Sequence, residues 1–509
     1  MAAIPTFLCM AKETDGLGGL STGATSFSQT ELLAARTYLG HFHALGSPSP
    51  ESAVSSSSNS HRSTSPNGHP GSGAPEGLSD ISGPKAPMMV AWDHAQDYGP
   101  RVVWPPENTD DNEEFDPEGA MPVVLKSISE FRIINEPVFQ EMGNFYSVFF
   151  TRYFYDYTVV RDSIMSRVWR RLQSSTSSKH GMLGIAMLFR ANYEGSMMTP
   201  RLRNYATEHH LLAMKTLQLD LENDHLSPWV KLVSLTELTT YAYYAGNLSD
   251  YYHYLGQTAI VVRKATGSNN LDLLTLSGEH TFDVRTFAWC DILSSMALSR
   301  PTLLNYESDI LDTSWGSIIG NGYTDQDKGI EWIFGCPDVL VVLLARITTL
   351  RHTRLSTEEK TSRGSEIEQL IRNSQFRSSQ AKHPMLRVAR LGAQEIWRHT
   401  AILYVHQAVF KSDSAHSVVK DSVKQIIRIA STIKPGVNPD CFLPVPYFIA
   451  GFFATSEKDR YTLRNRILNC GNERFLRHLA AALDDLWNET DATGNVISWS
   501  RKQPPTFIF

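Results

Sequence analysis

The sequence predicts an all-α protein, a multi-helix layered body preceded by a disordered acidic N-terminal arm. Three observations carry that expectation. Beyond about residue 120, apolar residues recur at three- and four-residue intervals over long segments. Proline stands at apparent helix starts, after Ser227 and after Cys336. The alternation of strands and helices that marks βαβ units is not found.

Taken in order, Ser28 and Glu31 form a capping box. Leu32, Leu39 and Phe42 then fall on one side of a short amphipathic helix near residues 29–45, a candidate partner-binding helix. From Ser47 to Pro75 there are 11 Ser, 5 Pro and 3 Gly in 29 positions, with Val54 the only aliphatic larger than Ala. Such a stretch buries too little apolar surface to offset its backbone entropy, so disorder is expected. Its three Ser-Pro pairs, at Ser47, Ser49 and Ser65, suit proline-directed kinases, although a chain so rich in serine makes such pairs by chance. Apolar islands at Met88–Trp92 and Val102–Pro105 precede Glu107–Glu118, where seven acidic residues stand with no basic one and a solvated linker is expected. Residues 1–120 are thus read as the arm and 121–509 as the helical body.

Within the body, Ser227-Pro228 should open a helix over Trp229–Tyr244, and Cys336-Pro337-Asp338 another over Val339–Leu350. Leu386–Phe410 reads as a central, largely buried helix. Val419, Val423, Ile426 and Ala430 mark a one-faced helix, as do Leu476, Leu479, Leu483 and Leu486 with Trp487 beside them. Roughly twelve to fourteen helices are expected in all. The polar stretch Ser356–Gln380 reads as an exposed loop and a weak boundary. A body of this length outgrows a single core, so stacked layers should result.

Composition narrows the function. Forty-seven Lys and Arg against 53 Asp and Glu give a net charge of −6, which argues against a chain that coats nucleic acid. Residues 1–125 hold 5 basic and 15 acidic side chains, leaving 42 against 38 in the remainder, an acidic arm before a nearly neutral body. The five cysteines, Cys9, Cys290, Cys336, Cys441 and Cys470, lie at least 29 residues apart, so free thiols are expected and no local zinc site can be built. No basic leader precedes the apolar start, and no apolar run approaches the ~20 residues of a membrane helix. A soluble intracellular protein follows.

The phosphate-cradling GxxxxGK[ST] loop, GxGxxG after a strand, GxSxG and HExxH are all missing. Asp110-Asp111-Asn112-Glu113-Glu114 has the DDxxE form that holds Mg²⁺ in helical terpene cyclases, yet it sits among prolines and no second metal-binding run follows. A helical Mg-dependent enzyme is therefore a weak reading, and a helical scaffold is another. His209-His210 and the His41/His43 pair gain no completing ligand and read as ordinary histidines. The aromatic stretches Phe145–Tyr157 and Tyr241–Tyr254 read as packing between helices before they read as a ligand pocket.

Several segments in order resemble the regulatory, or middle homology, region of fungal six-cysteine zinc-cluster transcription factors, in the form common in basidiomycetes. They are Asp116-Pro117-Glu118-Gly119 with Met121–Val124; Phe149-Phe150 through Tyr157; Phe287–Leu293 ending in Arg300-Pro301; Gly335-Cys336-Pro337-Asp338 leading into Leu343–Ile347; Glu395–Arg398 leading into Ile402–His406; and Pro444–Gly451, then Asp459-Arg460, then Leu486-Trp487 with Asp491 and Trp499. The signature positions Trp289, Asp291, Arg300, Pro301, Pro337, Trp397, Arg398, Pro446, Gly451, Arg460 and Trp487 read as fold positions, with the wall of an effector pocket as the functional alternative. Arg300 in particular should cap carbonyls or pair with a carboxylate at a helix stop.

The resemblance implies a nuclear regulator of transcription, not an enzyme, whose partners are the transcription machinery or another regulator, with a small-molecule effector as a further candidate and no membrane. In that family a separate cluster with C-x2-C-x6-C spacing holds two zinc ions and reads DNA. Only Cys9 precedes residue 290 here. No cofactor is therefore expected, zinc only with a cluster outside this sequence, and DNA contact is expected to be indirect.

Overall fold

The computed structural model describes residues 116–131, 136–195, 197–310, 327–494, 498–501 and 505–509. Leu32, Leu39 and Phe42, the Ser-Pro pairs and the Asp110–Glu114 run lie outside the described residues. Among the described residues there are sixteen α-helices, and the strands Asn270–Leu271 (β1) and Asn305–Tyr306 (β2) pair in parallel over two residues each. The protein is all-α.

Helix α1 (Met121–Glu130) is opened by Asp116, whose two carboxylate oxygens accept from the backbone amides of Ala120 at 3.0 Å and Met121 at 2.7 Å. Glu118 is buried and accepts from the amide of Lys382 at 3.2 Å. The acidic stretch expected to be a solvated linker therefore ends inside the fold, because unsatisfied backbone amides draw carboxylates to them.

Helices α2 (Pro137–Tyr153), α3 (Ile164–Ser174) and α4 (Thr176–Tyr193) build a first, aromatic core, to which α5 (Thr199–Glu222) adds Leu202 and Ala206 and α6 (Pro228–Ala245) adds Tyr241. Phe145 meets Phe189 edge-on at 5.4 Å, the offset arrangement that ring quadrupoles favour. Serines set the helix starts: Ser175 accepts from the amide of Ser178 before α4, and Ser227 from that of Val230 before α6, where Pro228 takes the first turn as its sequence context requires. Gly246, at φ 65°, turns the chain out of α6. α4 and α6 approach so closely at Gly181 that a Cβ there would lie 2.6 Å from Cβ of Glu237.

The second core takes Ala213 and Leu217 of α5 and Leu232, Leu235, Leu238 and Ala242 of α6, and gathers α7 (Leu248–Thr266), α8 (Phe282–Leu298), α10 (Asp338–His352), α11 (Thr357–Asn373), α12 (Pro384–Val405), α13 (Ser417–Ala430), α14 (Pro444–Phe453), α15 (Glu457–Asn469) and α16 (Arg474–Thr493), while the short α9 (Glu331–Phe334), between α8 and α10, returns Trp332 and Ile333 to the first. α12 runs into a π-helical turn, His406–Phe410, and buries Trp397 and Ala401 through Val405, the central helix its apolar length predicts. α10 is buried continuously from Leu340 to Ala345, as a helix with apolar residues all round must be. Pro337 is its cap residue, one position ahead of the first turn.

Ser356–Gln380 departs from its expectation as a loop. It contains α11, opened by a full capping box between Ser356 and Glu359, and it buries Gly364, Ile367 and Ile371 along one narrow stripe. Three buried positions at four- and three-residue spacing suffice for a helix that leans on its neighbours with little of its surface. The sixteen helices exceed the twelve to fourteen expected, because α11 rises from a stretch read as a loop and α9 spans only four residues.

Candidate functional site

Two adjoining cavities lie where the cores meet. The first, of about 80 Å³, is enclosed by α2, α3, α6, α8 and α9, and Tyr146, Arg171, Glu237 and Trp332 are among its walls. The second, of about 120 Å³, is walled by Arg152, Tyr243, Trp289, Cys290, Trp397 and Glu473 among others. Tyr153, Thr240, Tyr244, Thr286 and Phe334 belong to both walls, so the two chambers share one partition.

The charges around these chambers are answered by protein groups. Arg171 donates to Glu237 at 2.8 Å and to both oxygens of Asp283 at 3.2 and 3.0 Å. Burial pushes the Glu237 carboxyl above its ordinary value, and Arg171 pulls against that shift. Arg152 donates to the carbonyls of Gly436 at 2.5 Å and Cys470 at 2.7 Å while its guanidinium covers the Tyr193 ring at 4.7 Å. The Tyr193 hydroxyl in turn donates to Glu473 at 2.7 Å. Burial lifts the thiols of Cys290 and Cys441 to about 12, so both stay protonated at neutral pH and are poor nucleophiles.

The structure brings some of the signature residues together and leaves others apart. Trp289 and Trp397 meet in the wall of the larger chamber, ring centroids 5.6 Å apart, and Trp289 stacks on Phe334 of the partition at 5.1 Å. Asp291, Arg300 and Pro301 form a knot at the end of α8, where Arg300 reaches Asp291 at 3.1 Å and the Pro301 carbonyl at 2.7 Å. Arg398 holds the carbonyls of Ile371 and Arg372 at the end of α11 and that of Ser374 just beyond it, and lies over the Phe376 ring at 4.1 Å. Pro446 is buried in the first turn of α14. Gly451, Arg460 and Trp487 cluster: the Trp487 indole donates to the Gly451 carbonyl at 2.9 Å, and Arg460 covers the Trp487 ring while gripping Asp491 at 2.6 and 2.9 Å.

Tyr153 and Tyr244, at the centre of the partition, come from the aromatic stretches that periodicity assigns to packing. Phe145, Phe149 and Phe150 do pack in the core, whereas Tyr153 also faces the chambers. Arg152, Glu237 and Glu473 escape sequence reasoning, because a lone charge in a helix carries no motif and their partners lie far along the chain.

Among the described residues no cluster of three or more His, Cys, Asp or Glu could hold a metal ion, and no helix is long and apolar enough to cross a membrane. The profile of the fungal specific transcription factor domain matches residues 144–503. The chain belongs to that family, and the match contains both chambers apart from Phe509. No curated protein and no solved structure matches the chain.

Proposed function

We propose that this chain regulates transcription by RNA polymerase II in the nucleus, its helical body binding a small-molecule effector in the twin cavity and passing occupancy to the transcription machinery or to another regulator. The observation that carries the reading is an aromatic, charge-compensated double chamber inside a transcription factor domain. Such a cavity suits ligand binding, the usual role of apolar pockets with a few polar groups. DNA is reached through the partner or through a segment outside this sequence, and the acidic arm, with Leu32, Leu39 and Phe42, supplies a contact to the machinery. The eleven signature residues serve the fold, with Trp289 and Trp397 also lining the effector site.

The test fuses the full chain to a heterologous DNA-binding module and measures a reporter. Activity above the module alone, changing when Thr240→Leu narrows both chambers, supports the proposal. A silent reporter, or exclusion of the chain from the nucleus, favours a scaffold instead. Tight, sequence-selective DNA binding by the purified 509-residue chain without zinc would overturn the indirect contact.

A further inference from the structure

The hydroxyls of Tyr146, Tyr153, Tyr243 and Tyr244 have no hydrogen-bond partner among the described residues, although burial raises all four phenols above their ordinary range. Several other interior tyrosines are answered by protein, Tyr193 by Glu473 at 2.7 Å, Tyr306 by Asp291 at 2.8 Å and Tyr404 by Thr348 at 2.9 Å, whereas Tyr254, outside the chamber walls, keeps a buried hydroxyl with no partner. Tyr153, Tyr243 and Tyr244 are only half-buried by area while packed between interior helices, so their remaining surface faces the chambers they line. The buried indole nitrogens of Trp332 and Trp397, one in each chamber's wall, are also without an acceptor. Interior polar groups are nearly always paired, and the two unpaired indoles, with hydroxyls that keep free surface on the chambers, leave donors for an occupant of that space.

Size and charge narrow the occupant. Chambers of about 80 and 120 Å³ are of the order that admits one aromatic ring each. Arg171 and Arg152 are already engaged by Glu237, Asp283 and backbone carbonyls, so a charged molecule would bring an uncompensated charge into the interior. Ring faces on both sides of the partition favour a flat partner.

We infer that the twin cavity takes a neutral, flat molecule of one aromatic ring bearing hydroxyl or carbonyl oxygens, held between ring faces and by the hydroxyls of Tyr153 and Tyr244. The inference rests on the effector reading above and supplies its ligand class. Tyr153 and Tyr244 are the residues that select for oxygen, because both line both chambers.

Calorimetric titration of the full-length chain with phenol, benzene and benzoate tests it. Phenol should bind at least about fivefold more tightly than benzene, the return expected from one net hydrogen bond, and at least about tenfold more tightly than the carboxylate. The double variant Tyr153→Phe/Tyr244→Phe keeps both rings. It should bind benzene as before, which also reports an intact fold, and lose the preference for phenol. Failure of all three to bind, equal affinity for phenol and benzene, or a preference that survives in the double variant each overturns the ligand class. A reporter that ignores phenol while the calorimetric preference holds overturns the effector reading and leaves the ligand class standing.

Discussion

Arg300, just beyond the end of α8, folds back to Asp291 within that helix, guanidinium to carboxylate at 3.1 Å. The second Asp291 oxygen accepts from the amides of Leu303 at 2.7 Å and Leu304 at 3.3 Å and from the Tyr306 hydroxyl at 2.8 Å. One fully buried carboxylate thus ends α8 and positions the chain that becomes β2. Burial raises its pKa and the Arg300 charge counters the rise.

Asp291→Ala should therefore cost about 3 kcal/mol, since it strands two amides, a phenol and a guanidinium at once. Thermal unfolding of the variant checks this, and a melting temperature within a degree of the parent chain would contradict it.

Gly451→Ala should destabilise the protein even though Ala is the better helix former. The added Cβ would lie 2.7 Å from Leu483 Cδ1, in the interface where Trp487 donates to the Gly451 carbonyl. Overpacking of this kind costs ~1–3 kcal/mol, readable as a lower denaturant midpoint with an unchanged slope.

His180 of α4 and His209 of α5 stack with ring centroids 5.3 Å apart, their Nδ1 atoms at 3.1 Å. Burial depresses both, His209 to about 4, with its neighbour's charge adding to the effect. The unfolded chain takes up protons below about pH 6.5 that the folded pair refuses, so stability should fall as pH drops from 6.5 and level off near 4. His209→Gln should flatten that slope, recovering about 2 kcal/mol of the acid loss in urea titrations at pH 4.5 against pH 7.

Ser356→Ala should cost about 1 kcal/mol, because it removes one half of the capping box that starts α11. Amide exchange should quicken first in residues 357–361. Uniform exchange along the helix would argue that neighbouring helices, not the cap, hold its beginning.

That box also shows where sequence reasoning stops. Its Ser and Glu are plain at positions 356 and 359, but the segment carries so few apolar residues that polarity outweighed the signal. Ser227-Pro228, the Leu386–Phe410 segment and the Leu476–Leu486 stripe could be read directly, because their burial is dictated by local spacing. The chambers could not. Tyr153 and Tyr244 stand 91 residues apart, and a partition built from α2, α6, α8 and α9 has no period to detect. The signature residues mark helix ends and close approaches, so only Trp289 and Trp397 among them point toward the cavity.

Arg152, finally, takes its two carbonyl partners from residues 284 and 318 positions further along the chain. A ribosome adding ~5–20 residues per second needs roughly 15–60 seconds to make that second partner after the arginine has emerged. Until Gly436 is made the guanidinium has neither carbonyl partner and is served by water alone. A message broken before codon 470 leaves a product that cannot close this clamp.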